Sequence, residues 1–356
     1  MMMERQFEAP EHSTPTVETG INTSRRNGMS DEALPHRRTW MAFGASADLW
    51  GDMLLAVQNN LGLIASTIAR FEPVTMLVRP DEVELARDKC GPDVELVSCA
   101  LDDLWMRDSG PIFVNANDGT QMALDFNFNG WGGKQEHRHD HKVASITAKL
   151  AGVKLRKTNI VLEGGGIEVD GHGTALITES SVLNENRNPG LSKAAAEVQL
   201  KALLGLQHII WLPGIRGRDI TDAHIDFYAR FAAPGVVLVH TDPDMSSYVY
   251  AMTLRHVDIL RSAKDANGNA LKIVLIEAPR TVRSEFQNVN FAAGYLNYYV
   301  INDALIMPEF GDVSADDNAR KILQELYPDR LVVPLNIDCI AAGGGGIHCT
   351  TQQEPR

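Results

Sequence analysis

Tyr298-Tyr299-Val300-Ile301 and Ala304-Leu305-Ile306-Met307 are two apolar runs separated by Asn302-Asp303. Runs of this length, rich in β-branched and aromatic residues, read as strands. Apolar residues then recur at helical spacing over Ala315 to Tyr327, and Leu331-Val332-Val333-Pro334 reads as a third strand. The unit is therefore strand, strand, helix, strand. Outward from it the same order recurs. Strands at Ile225–Phe231 and Val236–His240 precede a helix over Ser247–Ala263 and a strand at Lys272–Ile276. Strands at Gly166–Val169 and Ala175–Thr178 precede a helix over Lys193–Leu204 and a strand at His208–Trp211. Strands at Pro111–Val114 and Met122–Phe126 precede a helix over His141–Leu150 and a strand at Val153–Leu155. Nearer the N-terminus, a strand at Thr39–Phe43, a helix over Asp52–Phe71 and a strand at Val74–Val78 are followed by a short helix at Asp81–Lys89 and a strand at Val94–Val97. About five such units predict a repeat architecture. One unit cannot bury both faces of its sheet, so the units are expected to close around an axis, with a central cavity where residues distant in sequence meet. An open α/β sheet would alternate single strands with crossover helices, and the paired strands speak against it.

The chain has 356 residues and a formal net charge of −13. That balance argues against nucleic-acid binding. It suits a small cationic substrate, and equally it would simply keep the protein soluble. Cys90, Cys99, Cys339 and Cys349 form no CxxC pair and no zinc spacing. So few cysteines in so long a chain predict a reducing, cytoplasmic setting. No apolar run reaches the roughly 20 residues of a membrane span. Residues 1–34 are polar and without period and are expected to be a disordered tail, with one catalytic domain over 35–356.

Several segments carry candidate chemistry. Gly343-Gly344-Gly345-Gly346-Ile347-His348-Cys349 runs four glycines toward a cysteine. The run makes either a turn before a small buried residue or an extended piece that aims the sulfur into a cavity. On an extended piece His348 would face away from Cys349 and would not be its base. His224 and Asp226 share a face if they lie on a strand, as an acid/base and binding pair or as a satisfied strand-edge pair. Glu163, ahead of Gly164-Gly165-Gly166, is either a partner for a histidine or a turn carboxylate. Asp108 either pairs with Arg107 at the surface or lines the cavity to bind a cation. Asn184 to Pro189 reads as a structural turn, and the cluster His137, His139, Asp140 and His141 as a solvated helix entry, since that spacing does not share one helical face.

Taken in order, Trp105-Met106-Arg107-Asp108-Ser109-Gly110-Pro111, Phe128-Asn129-Gly130-Trp131-Gly132-Gly133, Leu162-Glu163-Gly164-Gly165-Gly166, Asn184-Glu185-Asn186-Arg187-Asn188-Pro189, Thr221-Asp222-Ala223-His224-Ile225-Asp226 and Gly343 to Gln353 resemble the agmatine deiminases. These belong to the bacterial-type peptidyl-arginine deiminase group of the guanidino-group modifying (pentein) superfamily. The resemblance covers Thr39 to the C-terminus. It implies a five-bladed α/β propeller, which agrees with the unit count. It also implies Cys349 as nucleophile, His224 as general acid/base, Asp108 and Asp226 as the grip on a guanidinium, Glu163 as the carboxylate that orients His224, and Trp131 and Arg187 beside the substrate. The glycines would let the chain approach a planar guanidinium. Such chemistry calls for no metal or organic cofactor, and a homodimer is common in the family. Ala223, Phe227 and Gly346 depart from the family pattern around the substrate's tail. Peptidyl-arginine, free arginine or another alkylguanidine therefore stands beside agmatine as substrate, with amidino transfer and silent guanidine binding as further alternatives.

Overall fold

The alternating runs become strands because every second residue can be buried while the backbone pairs with its neighbours. A computed structural model describes residues 27–116 and 118–356. Among them the strands form five separate sheets. The unit first read in the sequence is Tyr299–Ile301, Ala304–Glu309, the helix Val313–Leu326 and the strand Leu331–Asn336. Its first two strands pair antiparallel, and the helix returns the chain to pair parallel on the far side. The same antiparallel-then-parallel order holds for Ala229–Ala233, Val236–Thr241 and Lys272–Glu277. It holds again for Ile112–Asn115, Gln121–Asp125 and Lys154–Lys157, and for Glu168–Val169, Thr174–Thr178 and His208–Leu212.

The fifth sheet joins the two ends of the chain. His36–Phe43 pairs parallel with Val74–Val78, which pairs parallel with Val94–Ser98. Its other edge is filled by Thr351–Pro355, antiparallel. That C-terminal strand follows Cys349 after a single residue and ties the nucleophile's backbone to the first long strand. Its polar side chains, Gln352, Gln353 and Glu354, are nonetheless buried.

Helix ends are set by ordinary caps. Ser192 and Ser247 accept hydrogen bonds from Ala195 and Val249 backbone N–H groups, and Asp312 accepts one from Ala315. Each unit's helix covers one face of its sheet. Leu260 on the helix Tyr248–Ser262, for example, joins Val237 and Val239 in one buried cluster. Burying each such side chain contributes about 1.5–3 kcal/mol.

Two expectations need correction. The residues from 27 to 34 are ordered: Gly28–Met29 pairs antiparallel with Val114 and Asn115, and Glu32 is buried. Residues 1–26 lie outside the described residues. The strand expected from Ile225 begins only at Ala229. Ile225–Phe227 is a turn of 3-10 helix, because Asp222 and Ala223 both take left-handed backbone angles just before it.

Candidate active site

The site is assembled from short turns between strands. Asp108 lies on a single helical turn, Met106–Ser109. One of its carboxylate oxygens accepts from the Trp131 Nε1–H at 2.9 Å, the other from the Gly165 N–H at 3.1 Å. Trp131 reaches it because its own backbone is left-handed, φ 54°, in a turn closed by the Asn129 side chain, which accepts from the Gly132 N–H at 2.7 Å. Glu163 sits just ahead of the 3-10 turn Gly164–Gly166 and accepts from Arg187 Nε at 2.8 and 3.0 Å. Arg187 also donates to Asp222 at 2.6 Å and to the Thr221 carbonyl at 2.9 Å.

His224 follows the two left-handed residues Asp222 (φ 61°) and Ala223 (φ 71°). Each costs about 1 kcal/mol or more, a strain held by Asp219, whose side chain accepts from the Thr221 and Ala223 N–H groups. The result aims His224 Nε2 at Glu163, 3.0 Å away, and brings Nδ1 within 3.7 Å of Asp108. Asp226 is on the following 3-10 turn. Its Oδ2 accepts from Asn297 Nδ2 at 3.2 Å and from His348 Nδ1 at 2.8 Å.

Cys349 is on another 3-10 turn, His348–Thr350, not on an extended piece. Its Sγ lies 3.7 Å from Asp226 Oδ2 and 3.3 Å from Asn297 Nδ2, and its N–H donates to Asn297 Oδ1 at 3.3 Å. His348 is still not its base: both ring nitrogens are engaged, with Asp226 and with Glu32. The glycines make room for aromatic rings, and Gly343, Gly344 and Gly345 also line the cavity onto which Cys349 opens. A Cβ on Gly343 or Gly345 would stand 2.1 Å from the ring of Trp50 or Trp105, and one on Gly346 would stand 2.4 Å from Asn297 Oδ1.

Cys349, His224, Glu163, Asp108, Asp226, Trp131 and Arg187 are thus brought together. Arg107 does not pair with Asp108 at the surface; it is buried, bonded to Gln353, Glu32 and the His348 carbonyl. Asn297, Glu32 and Asp222 join the site without having been singled out. Of these, only Asp222 lies within one of the six motifs. His137 and His141 instead bond backbone carbonyls, of Gln135 and His137.

A cavity of about 290 Å³ opens onto Cys349 and Asp108, lined also by Trp50, Trp105, Trp131 and Asp103. A second cavity, about 320 Å³, lies by Asn27, His172 and Gln207 and holds none of the reactive groups. The charges around the first are mutually dependent. Burial pulls the His224 imidazole down, but Asp108, Glu163 and Asp226 outweigh it and raise it to about 9. Burial, then Asp226 and Asp108, push the Cys349 thiol well above its ordinary value. Asp226 is held below the usual carboxylate range: burial opposes this, but the His348 hydrogen bond and charge prevail. Two buried atoms in this cluster have no hydrogen-bond partner, His224 Nδ1 and Asp226 Oδ1. Unpartnered buried polar atoms are costly and point to a ligand that would satisfy them.

Gly165 lies among these groups. A Cβ there would sit 2.7 Å from His224 Nδ1, 3.0 Å from Asp108 Oδ1 and 3.1 Å from Asp226 Oδ2. Gly165→Ala is therefore expected to lower kcat/KM about 100-fold through misplacement of these groups, while circular dichroism shows the fold kept. Unaltered kinetics would show that the three groups do not have to meet there.

The model of the Porphyromonas-type peptidyl-arginine deiminase family matches residues 28–355. The chain belongs to this family. Among family relatives, a protein of Streptomyces coelicolor named a putative agmatine deiminase is 40% identical, the match covering 92% of this chain and 98% of that one. The agmatine deiminase of Stutzerimonas stutzeri is 35% identical over 95% and 98% of the two chains. The solved agmatine deiminase of Enterococcus faecalis superposes with a TM-score of 0.87 at 32% identity, covering 93% of this chain and 96% of that one. Among the described residues, no helix is long and apolar enough to cross a membrane.

Proposed function

We propose that the protein hydrolyses agmatine to N-carbamoylputrescine and ammonia through a covalent thiouronium on Cys349. The observation that carries this reading is Asp226, whose Oδ2 lies 3.7 Å from the Cys349 sulfur and whose Oδ1 is buried without a partner, while Cys349 and Asp108 line one cavity. Two carboxylates can hold the N–H groups of a guanidinium and localise its charge. The substrate's cation offsets the two anions that keep the thiol protonated, so as substrate enters the thiol gives its proton to solvent and becomes a thiolate; a proton returns when the ureido product leaves the sulfur. The sulfur then bonds to the guanidinium carbon. His224, an imidazolium in the resting site, gives its proton to one amino nitrogen, the C–N bond breaks and ammonia leaves. His224 next takes a proton from water, the hydroxide attacks the same carbon, and the C–S bond breaks to return the sulfur. Glu163, itself held by Arg187, keeps the ring in place throughout.

The cavity lining favours agmatine over arginine. Its described residues include Asp103 and Asp108 and no Lys or Arg, so a distal ammonium meets an anion while an α-carboxylate meets no cation. The five sheets, each containing an antiparallel pair with a parallel strand beside it, support a five-bladed propeller with this cavity on its axis. The four cysteines are free, and a nucleophilic thiol must stay reduced, which supports a cytoplasmic setting. Agmatine, arginine and an arginyl peptide, each scored for ureido product and ammonia, test the substrate. Agmatine should be turned over with the highest kcat/KM, and preference for arginine or the peptide would overturn the assignment.

The imidazolium sets the pH dependence. Its acid form is complete at neutral pH and lost as pH rises through about 9, so kcat/KM should fall on an alkaline limb there. Since Asp108 is one of the anions that raise it, Asp108→Asn should move the limb to lower pH. A limb near 6.5 in the unaltered protein, the ordinary histidine value, would contradict the assignment.

A further inference from the structure

Asp226 has two oxygens with opposite fates. Oδ2 is engaged by His348 Nδ1 at 2.8 Å and Asn297 Nδ2 at 3.2 Å, whereas Oδ1 is buried without a partner. A carboxylate gripped through one oxygen cannot rotate, and its free oxygen keeps one direction. Behind His348 the chain of contacts continues. Its Nε2 meets Glu32 Oε2 at 2.9 Å. Glu32 is itself fixed: it accepts from the Val300 N–H at 3.0 Å, from Arg230 at 2.9 Å and from Arg107 at 3.3 Å. Arg107 Nε also donates to the His348 carbonyl at 3.2 Å, so the same cation holds the ring's backbone.

We propose that His348 and Glu32 are positioning residues for Asp226, a carboxylate–imidazole–carboxylate chain that presents one oxygen of Asp226 to the guanidinium. The inference rests on the guanidine reading given above. Burial opposes ionisation of Glu32, but Arg230 and His348 hold it well below the usual carboxylate range. Burying such a chain is expensive in stability, and an apolar core of the same volume would serve the fold as well or better. Its terminus on a substrate-facing carboxylate gives the expense a purpose. The segment before the first long strand thereby becomes part of the active site.

The test uses the full chain carrying Cys349→Ala, which cannot turn over, with agmatine binding read by calorimetry. In this background, His348→Asn keeps a donor near the place of Nδ1, and His348→Gln moves it toward the place of Nε2. His348→Gln is expected to weaken agmatine about tenfold or more, the loss of one charge-assisted hydrogen bond, and His348→Asn by roughly threefold or less. Glu32→Gln should also weaken binding, and in the active enzyme should raise KM more than it lowers kcat. This second variant decides the question if His348→Gln does not fold. Equal affinities for His348→Asn and His348→Gln, or a Glu32→Gln enzyme with unaltered KM, would overturn the proposal while leaving the guanidine reading intact. If the Cys349→Ala parent itself binds no agmatine, the guanidine reading falls and takes this inference with it.

Discussion

Cys349→Ala is expected to reduce ammonia release from agmatine by about 10⁶-fold, as loss of a nucleophile does in other covalent enzymes. The sulfur is the one atom in the cluster able to bond the guanidinium carbon. Cys90, Cys99 and Cys339 do not line the cavity. The fold should survive, because the side chain's contacts are modest: one weak hydrogen bond from Asn297 and a near approach to Asp226. Removing the sulfur leaves a small void beside a cavity that is already open. Melting temperature and circular dichroism check the fold, and ammonia and ureido product check the chemistry. Turnover like that of the unaltered protein would remove Cys349 from the mechanism.

The next largest effects belong to the carboxylates. Asp226→Asn is expected to cut kcat/KM about 10³-fold, since removing one charge of a buried, hydrogen-bonded pair costs about 3–5 kcal/mol. Two mechanisms add here. The guanidinium loses an anion, and because His348 and Asn297 both donate to Oδ2, the amide keeps its oxygen there and sets its N–H groups, which cannot accept, at the place of Oδ1. Asp108→Asn should be comparably damaging in kcat/KM. The Trp131 and Gly165 donors go to different oxygens of Asp108, and an amide has one accepting oxygen, so one donor loses its partner. Unlike Asp226, Asp108 does not touch the sulfur within hydrogen-bonding range, so its loss should fall more on KM. Steady-state kinetics on agmatine decide both. Unchanged constants in either variant would take that residue out of the site.

Much of the fold was legible because the units are local. Apolar alternation and helical spacing are properties of neighbouring residues, and the helix Lys193–Leu204 was read to its observed ends. What escaped depends on distance or on backbone strain. Glu32 lies in a polar stretch, and nothing local marks it as buried. Its partners Arg107, Arg230 and His348 are 75, 198 and 316 residues away. The C-terminal strand Thr351–Pro355 is likewise too polar to read as a buried edge until its partner His36–Phe43 is known. Ile225 and Phe227 alternate as a strand would, yet Asp222 and Ala223 turn the chain left-handed and produce a 3-10 turn. His224 and Asp226 therefore reach one buried cluster through a turn, where a shared strand face was expected. Asn297 carried no signal beyond being a lone amide in an aromatic run, although it touches both Asp226 and the nucleophile. The other members of the cluster were marked by composition in part, and by the resemblance of six ordered motifs.

Which bond of the guanidinium is cut, and by what, separates this mechanism from its rivals. Agmatine turned over in heavy-oxygen water, with products read by mass spectrometry, answers both. The mechanism predicts N-carbamoylputrescine carrying one heavy oxygen in its ureido group, with one ammonia released for each. Urea with putrescine, which requires cleavage of the other C–N bond, would contradict it.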